Sequence, residues 1–91
     1  MRGLLSFLIL FLLSKKPLHG QGIAEEIEKR KGTKPSPGTI YPALKGLKKM
    51  GLIEEQKAGK KIVYRLTKNG EKELEIAKQN FCHAFMDIFK P

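Results

Sequence analysis

The hydrophobic pattern of the 91-residue chain opens with an apolar run over residues 4–13 that only Ser6 interrupts. A membrane-spanning helix needs about 20 such residues, and the segment SKKP at residues 14–17 does not provide the small-x-small pattern of a signal-peptide cleavage site. Helices that are apolar on all sides are usually buried. We therefore predict a fully buried core helix, with a signal peptide or a membrane anchor as the less favoured alternative.

Two shorter amphipathic segments follow the apolar run. Between residues 19 and 32, three apolar side chains recur at helical spacing: Ile23, Ala24 and Ile27. Gly32 suits the end of this helix, and Ser36 followed by Pro37 is typical of a helix start. The inward-facing residues predicted for that next helix are Ile40, Leu44, Leu47 and Met50. The pattern thus predicts a second and a third helix, the latter ending at Gly51.

After Gly51 the periodicity changes from helical to alternating, which predicts two strands over residues 52–56 and 62–66. The basic segment 57–61 joins them into a hairpin with Gly59 at the bend. Thr67 is the predicted N-cap of a last helix, although Gly70 stands where a complete capping box would have glutamate. The chain therefore ends with a hairpin and a long helix.

The last predicted helix carries an apolar stripe whose steps of three and four residues are typical of a coiled-coil seam. The residues of this stripe are Leu74, Ala77, Phe81, Ala84, Phe85 and Ile88. A single helix usually packs on its own core, but three helices and a hairpin already close this core, which favours a second copy of the chain. We expect a compact domain over residues 1–67 and a C-terminal dimerisation helix over residues 68–91.

Charge narrows the choice of partner, because 18 Lys and Arg residues against nine Asp and Glu residues give a net charge of +9. Nucleic acid and an anionic membrane surface both suit such a chain.

The single cysteine, Cys82, excludes an intrachain disulfide, and no spaced Cys or His cluster provides a zinc site. A chain with one cysteine suits a reducing compartment, so we expect a cytoplasmic protein. Since no nucleophile stands beside a base, we expect that it is not an enzyme and needs no cofactor.

The order of three helices followed by a two-stranded hairpin is that of the winged helix-turn-helix fold. Four motifs are specific: PLHG at residues 17–20, SPGTIYPAL at 36–44, GLI at 51–53 and YRLTKNG at 64–70. In these motifs the chain resembles the PadR family of transcriptional regulators. Two positions depart from the family, because Gln21 replaces a common aromatic residue and Lys48 replaces a common acidic residue.

The resemblance implies a mainly α-helical fold with a small β-hairpin. Residues 1–67 are then a winged helix-turn-helix DNA-binding domain, and residues 68–91 are a C-terminal dimerisation helix. The resemblance also implies a transcriptional regulator that binds double-stranded DNA as a homodimer on a palindromic operator. We expect this regulator to be a repressor. A small-molecule effector is a further partner that the family leaves open. No membrane partner is expected.

Twelve residues on the predicted third helix, on the turn before it and on the hairpin are candidates for DNA contacts. They are Lys34, Ser36, Gly38, Thr39, Tyr41, Lys45, Lys48, Lys49, Lys57, Lys60, Lys61 and Arg65. Each has an alternative role: Tyr41 could pack on the protein, the lysines could form a solvated face, and Arg65 could pair with Glu54 or Glu55 across the hairpin.

Two other functions are compatible with the sequence, namely a winged-helix module that binds another protein and a module that binds RNA. The first predicts no salt-sensitive affinity for DNA. The second predicts a preference for single strands or hairpins over duplex DNA. Binding to a membrane surface through the first helix is a more distant alternative.

Overall fold

The elements follow the predicted order, with one additional strand. The computed structural model describes the backbone of residues 3–89 and the side chains of residues 4–80. Within that part, the elements are α1 (Gly3–Lys15), β1 (Leu18–His19), α2 (Gly20–Lys31), α3 (Pro37–Lys49), β2 (Ile53–Ala58), β3 (Lys61–Leu66) and α4 (Lys68–Phe89). Three helices precede the β2–β3 hairpin and one follows it. The predicted winged helix-turn-helix fold is confirmed.

Helix α1 forms the centre of the core with its C-terminal half. Ile9 and Leu10 are completely buried, and Leu12 and Leu13 are nearly so. The prediction of a helix buried on all sides is wrong for the first turn, where Leu4 keeps 53% of its surface exposed. Apolar residues lie on all sides of α1, but the core covers only part of the helix. None of the helices in residues 3–89 is long and apolar enough to cross a membrane.

Helices α2 and α3 bury the faces that their sequence spacing predicts. The buried apolar side chains are Ile23, Ala24 and Ile27 in α2, and Ile40, Leu44 and Leu47 in α3. Gly32 ends α2 in the left-handed conformation, with φ 82°, and its N–H donates to the Glu28 carbonyl at 2.7 Å. A residue with a Cβ would be strained in that conformation, which explains the glycine.

Both ends of α3 differ from the prediction. Ser36 occupies the N-cap position, but its hydroxyl lies 3.2 Å from the Thr39 hydroxyl and makes no capping bond to a backbone amide. Met50, predicted to face inward, is 51% exposed. Because α3 ends at Lys49 and the chain turns at Gly51, the side chain that closes this end of the core is Leu52.

The sheet has three antiparallel strands in the order β1-β3-β2, one more than the sequence predicted. In β1, Leu18 lies opposite Tyr64 and His19 lies opposite Val63. A strand of two residues is too short to show an alternating pattern, so only its partner reveals it. Strand β3 is therefore central, with one neighbour on each side.

The hairpin loop is shorter than predicted. The pairing of β2 with β3 continues to Ala58 and Lys61, so that only Gly59 and Lys60 remain in the loop. Gly59 has φ 65° and is the first of the two loop residues, where type II′ turns place a glycine. Lys57 and Lys61 are consequently strand residues with fixed sides of the sheet, and Lys60 alone of the hairpin lysines lies at the tip.

Thr67 fixes the start of α4 against the turn between α3 and β2. Its Oγ1 accepts a bond from the Gly70 N–H at 3.0 Å, which confirms the predicted N-cap, and it donates to the Gly51 carbonyl at 2.6 Å. A Cβ added to Gly70 would lie 2.0 Å from the Leu52 carbonyl oxygen. The capping-box glutamate is absent because residue 70 has no room for a side chain.

We expect Gly70→Ala to lower the free energy of unfolding by about 1 to 3 kcal/mol or more, because the added methyl group forces the Leu52 backbone to move. Urea denaturation measures this change. Gly46→Ala in α3 is the matched control, since nothing lies within 4 Å of its added Cβ. Alanine is the better helix former by about 1 kcal/mol, so the control should be neutral or stabilised. Parent-like stability of Gly70→Ala would contradict the close packing.

Candidate nucleic-acid interface

Helix α3 and the hairpin present neighbouring exposed faces that are rich in lysine. All twelve residues predicted to contact DNA are solvent-exposed, and we call them together the basic surface. The turn before α3 contributes Lys34 and Ser36, helix α3 contributes Gly38, Thr39, Tyr41, Lys45, Lys48 and Lys49, and the hairpin contributes Lys57, Lys60, Lys61 and Arg65. An ion pair of 2.5 Å between Lys48 Nζ and Glu55 Oε1 connects α3 to β2.

The cations of the basic surface are of two kinds. Arg65 donates to Gln56 Oε1 at 3.2 Å and lies 4.0 Å from Glu54 Oε1, the cross-strand pairing that the sequence left as an alternative. Lys48 is paired with Glu55. The cations without an ion pair to any described residue are Lys34, Lys45, Lys49, Lys57, Lys60 and Lys61. These six lysines are the ones that can neutralise phosphates without losing a protein partner.

Tyr41 lies at the centre of the basic surface and packs on the start of α2. A Cβ added to Gly20 would lie 2.7 Å from the Tyr41 hydroxyl oxygen, so the ring needs a glycine beneath it. The side chain nevertheless stays 46% exposed, and its hydroxyl makes no hydrogen bond with another described residue. Packing and ligand contact are therefore compatible roles for Tyr41, since the ring serves one and the hydroxyl is available for the other.

Two clefts meet at Tyr41. One, of about 350 Å³, lies between α2 and the start of α3 and includes Lys34 and Ser36. The other, of about 310 Å³, lies between α2 and the hairpin and includes Lys60 and Lys61. Lysines thus border Tyr41 from the side of α3 and from the side of the hairpin.

The first turn of α3 is open to solvent. Gly38 is exposed, and a Cβ there would meet only the Ser36 hydroxyl oxygen, at 3.8 Å. The fold itself therefore does not require a glycine at this position. The Thr39 and Ile40 amides donate to the Ser36 carbonyl, and Pro37 has no N–H, so the Gly38 amide is the donor that this turn can offer to an anion. The helix dipole favours an anion at this end of α3, and the missing side chain would let a phosphate approach closely.

Glu55 is the acidic neighbour of this surface and also lies against Tyr64, its cross-strand partner in the sheet. Burial raises the pKa of the Tyr64 hydroxyl above its ordinary value, and the negative charge of Glu55 raises it further. Tyr64 is therefore a neutral hydroxyl beside the Glu55 carboxylate at any physiological pH. Helix α3 and strand β3 both contribute a polar side chain to this carboxylate.

The residues predicted for dimerisation fall into two groups. Leu74 is buried in the core of its own protomer, and Ala77 is half-buried. The others lie outside the residues whose side chains are described: Phe81, Ala84, Phe85 and Ile88. Ile76, which the sequence stripe did not include, is 51% exposed on α4. The described part of α4 thus packs on the protomer with one side and exposes an apolar residue on another.

The described residues form no metal-binding site. No three His, Cys, Asp or Glu side chains among them lie close enough together to hold a metal ion. Every buried side-chain nitrogen or oxygen atom of this part has a hydrogen-bond partner. The chemistry that the described surface offers is that of exposed ammonium, hydroxyl and backbone N–H groups.

Comparison with known proteins assigns the chain to a family. The profile of the transcriptional regulator PadR-like family matches residues 9–76, from the middle of α1 into α4. The chain belongs to the PadR-like family of transcriptional regulators. This family consists of regulators and not of enzymes, and the resemblance that the sequence motifs indicated is confirmed.

Solved structures of the PadR-like family share the architecture. A PadR family transcription regulator from hypervirulent Clostridium difficile R20291 is 31% identical, with a TM-score of 0.83 over 98% of this chain and 100% of that one. A PadR-like transcriptional regulator from Bacillus cereus is 29% identical, with a TM-score of 0.85 over 92% of this chain and 86% of that one.

A curated relative is longer. The transcriptional activator GvpE1 of Halobacterium salinarum is 35% identical over 60 residues, which make up 66% of this chain and 31% of the activator. The chain thus spans less than a third of the length of that relative.

Proposed function

We propose that this PadR-like regulator binds double-stranded DNA sequence-specifically, as a homodimer on a palindromic operator. The observation that carries the proposal is the basic surface, where an exposed α3 lies beside the hairpin and six lysines have no described anionic partner. In winged helix proteins of this order, the third helix enters the major groove and the hairpin contacts the neighbouring backbone. Lys48 and Arg65, which have protein partners, contribute less than the six unpaired lysines.

Selection of bound duplexes from a random pool tests the proposal. We expect enrichment of an inverted repeat whose half-sites are about 34 Å apart, one turn of duplex, because two symmetric helices must reach successive major grooves. Enrichment of RNA hairpins in a parallel pool would favour the RNA-binding alternative. Absence of salt-sensitive affinity for any nucleic acid would favour a protein-interaction module.

Repression is the output that we propose, because occupancy of a promoter by α3 and the hairpin suffices to exclude other proteins from the same DNA. A relative is named an activator, so activation is the alternative outcome. Transcription in vitro from a promoter that carries the selected operator distinguishes the two. A small-molecule effector stays a prediction, and addition of candidate ligands to the same assay tests it.

Tyr41→Phe should fold normally and bind the operator less tightly by about 1 to 3 kcal/mol, because a hydrogen bond from the hydroxyl to a phosphate is removed. Fluorescence anisotropy with labelled operator measures the affinity, and thermal unfolding checks the fold. Ser14→Ala is the control, since the Ser14 hydroxyl donates to its own helix at the Phe11 carbonyl. Unchanged affinity of Tyr41→Phe would leave only the packing role on Gly20.

Lys60→Ala and Lys61→Ala should each weaken binding equally on operator and on unrelated duplex. The slope of log affinity against log salt should fall in magnitude by about 0.9 for each phosphate that is no longer neutralised. Lys16→Ala, at the end of α1, is the control that removes the same charge but has no place on the basic surface. A weaker affinity with an unchanged slope would mean that these lysines act through folding or dimerisation.

The homodimer is proposed through α4 together with the start of α1. These two helices pack against each other, and each exposes a large apolar residue, Leu4 on α1 and Ile76 on α4. Burial of apolar surface in a second copy is the usual solution for such faces in symmetric assemblies. The stripe from Phe81 to Ile88 continues the same helix.

Light scattering at micromolar concentration should report a dimer for the parent chain. Ile76→Asp and Phe81→Asp should both give monomers, because an unpaired carboxylate in an apolar interface has a large desolvation cost. Gln79→Asp is the matched control, since Gln79 is an exposed polar residue of α4. A parent chain that is monomeric under these conditions would contradict the proposed dimer.

A further inference from the structure

One acidic side chain lies on the side of the hairpin that faces α3. Side chains alternate across a strand, so Ile53, Glu55 and Lys57 of β2 share this side with their cross-strand partners Leu66, Tyr64 and Ile62. Ile53 and Tyr64 are buried, which shows that this side turns toward the core and α3. Glu55 is the acidic residue of the six.

Glu55 contacts groups from two elements of the DNA-binding surface. Its Oε1 accepts from Lys48 Nζ of α3 at 2.5 Å. Its carboxylate also interacts with the hydroxyl of Tyr64 on β3. The ion pair with Lys48 therefore holds this carboxylate between α3 and the hairpin, with Tyr64 as its cross-strand neighbour.

The stability of the fold does not explain the presence of Glu55 at this position. Both side chains of the Lys48–Glu55 pair are substantially exposed, and exposed ion pairs contribute little to stability. On a surface that binds phosphates, a carboxylate weakens binding by repulsion. Its effect is therefore better sought in DNA binding than in the folded state alone.

We propose that Glu55 keeps Lys48 as its partner in the complex with DNA, so that Lys48 makes no phosphate contact and Glu55 limits the non-specific affinity of the basic surface. The proposal rests on the proposed DNA-binding function. If Lys48 moved to a phosphate, the Glu55 carboxylate would be left facing the polyanion without a cation. Tyr64 lies opposite Glu55 across the hairpin, on the side of the sheet where Lys48 meets the carboxylate.

This assignment differs from the expectation for the other lysines in a measurable way. A lysine that contacts a phosphate contributes about 0.9 to the magnitude of the salt slope. A lysine that stays with its carboxylate neutralises no phosphate and does not add to the slope in this way. Lys48→Ala should therefore leave the salt slope on unrelated duplex unchanged. Lys60→Ala, which removes an unpaired cation, should lower the slope in the same assay.

Removal of the carboxylate should release Lys48 to the DNA. We expect Glu55→Gln to bind unrelated duplex more tightly and to raise the magnitude of the slope by about 0.9 for the phosphate that Lys48 then neutralises. In the Glu55→Gln background, Lys48→Ala should abolish this increase. Glu25→Gln is the matched control, because it removes one exposed negative charge of α2 that has no ion pair with a described residue.

The outcomes separate the proposal from the function on which it rests. If the parent and Lys60→Ala show no salt-dependent binding to duplex DNA, the proposed function fails, and this proposal fails with it. If both bind as expected but Lys48→Ala lowers the slope as much as Lys60→Ala, Lys48 contacts phosphate and this proposal alone is overturned. An unchanged slope in Glu55→Gln would overturn it as well. Lys48→Met keeps the aliphatic stem and replaces Lys48→Ala if thermal unfolding shows that the latter is destabilised.

Discussion

The contact between Gly70 and the Leu52 carbonyl is the constraint on which the arrangement of the other elements depends. It brings the first turn of α4 onto the turn that ends α3 and begins β2, at a distance that no other residue allows. Two further bonds hold the same junction, from the Thr67 hydroxyl to the Gly51 carbonyl and from the Thr67 N–H to the Leu52 carbonyl at 3.1 Å. The end of α3, the start of the hairpin and the start of α4 therefore meet in one joint, which these bonds hold together.

This joint gives α4 a fixed direction relative to α3. Leu74, one turn beyond Gly70, is buried in the core, and α4 also packs on α1. In a homodimer built through α4, the joint would transmit the geometry of the dimer interface directly to the two recognition helices. The distance between half-sites would then depend on a backbone contact at the end of α3, made by residues that are not among the twelve of the basic surface.

The sequence predicted the elements whose information is local. Helical spacing identified the buried faces of α2 and α3, and alternation identified β2 and β3, because each pattern repeats several times within its own segment. Strand β1 has two residues and no period, so its pairing with β3 could not be predicted from the segment alone. Met50 was wrongly placed in the core because helical periodicity was extended one residue past the end of α3.

The site was less predictable than the fold, because the order of charged residues in the sequence does not show which of them form ion pairs in the structure. The sequence selected twelve positions on α3, on the turn before it and on the hairpin, all of which are exposed, but it treated Lys48 like its neighbours Lys45 and Lys49. Lys48 differs only because Glu55, seven positions along the chain and on another element, folds back against it. Net charge is unchanged by such a pair, yet the number of cations available to a polyanion is lower. Composition therefore indicates the class of partner. The pairing of individual charges decides how many lysines are free to neutralise the phosphates of that partner.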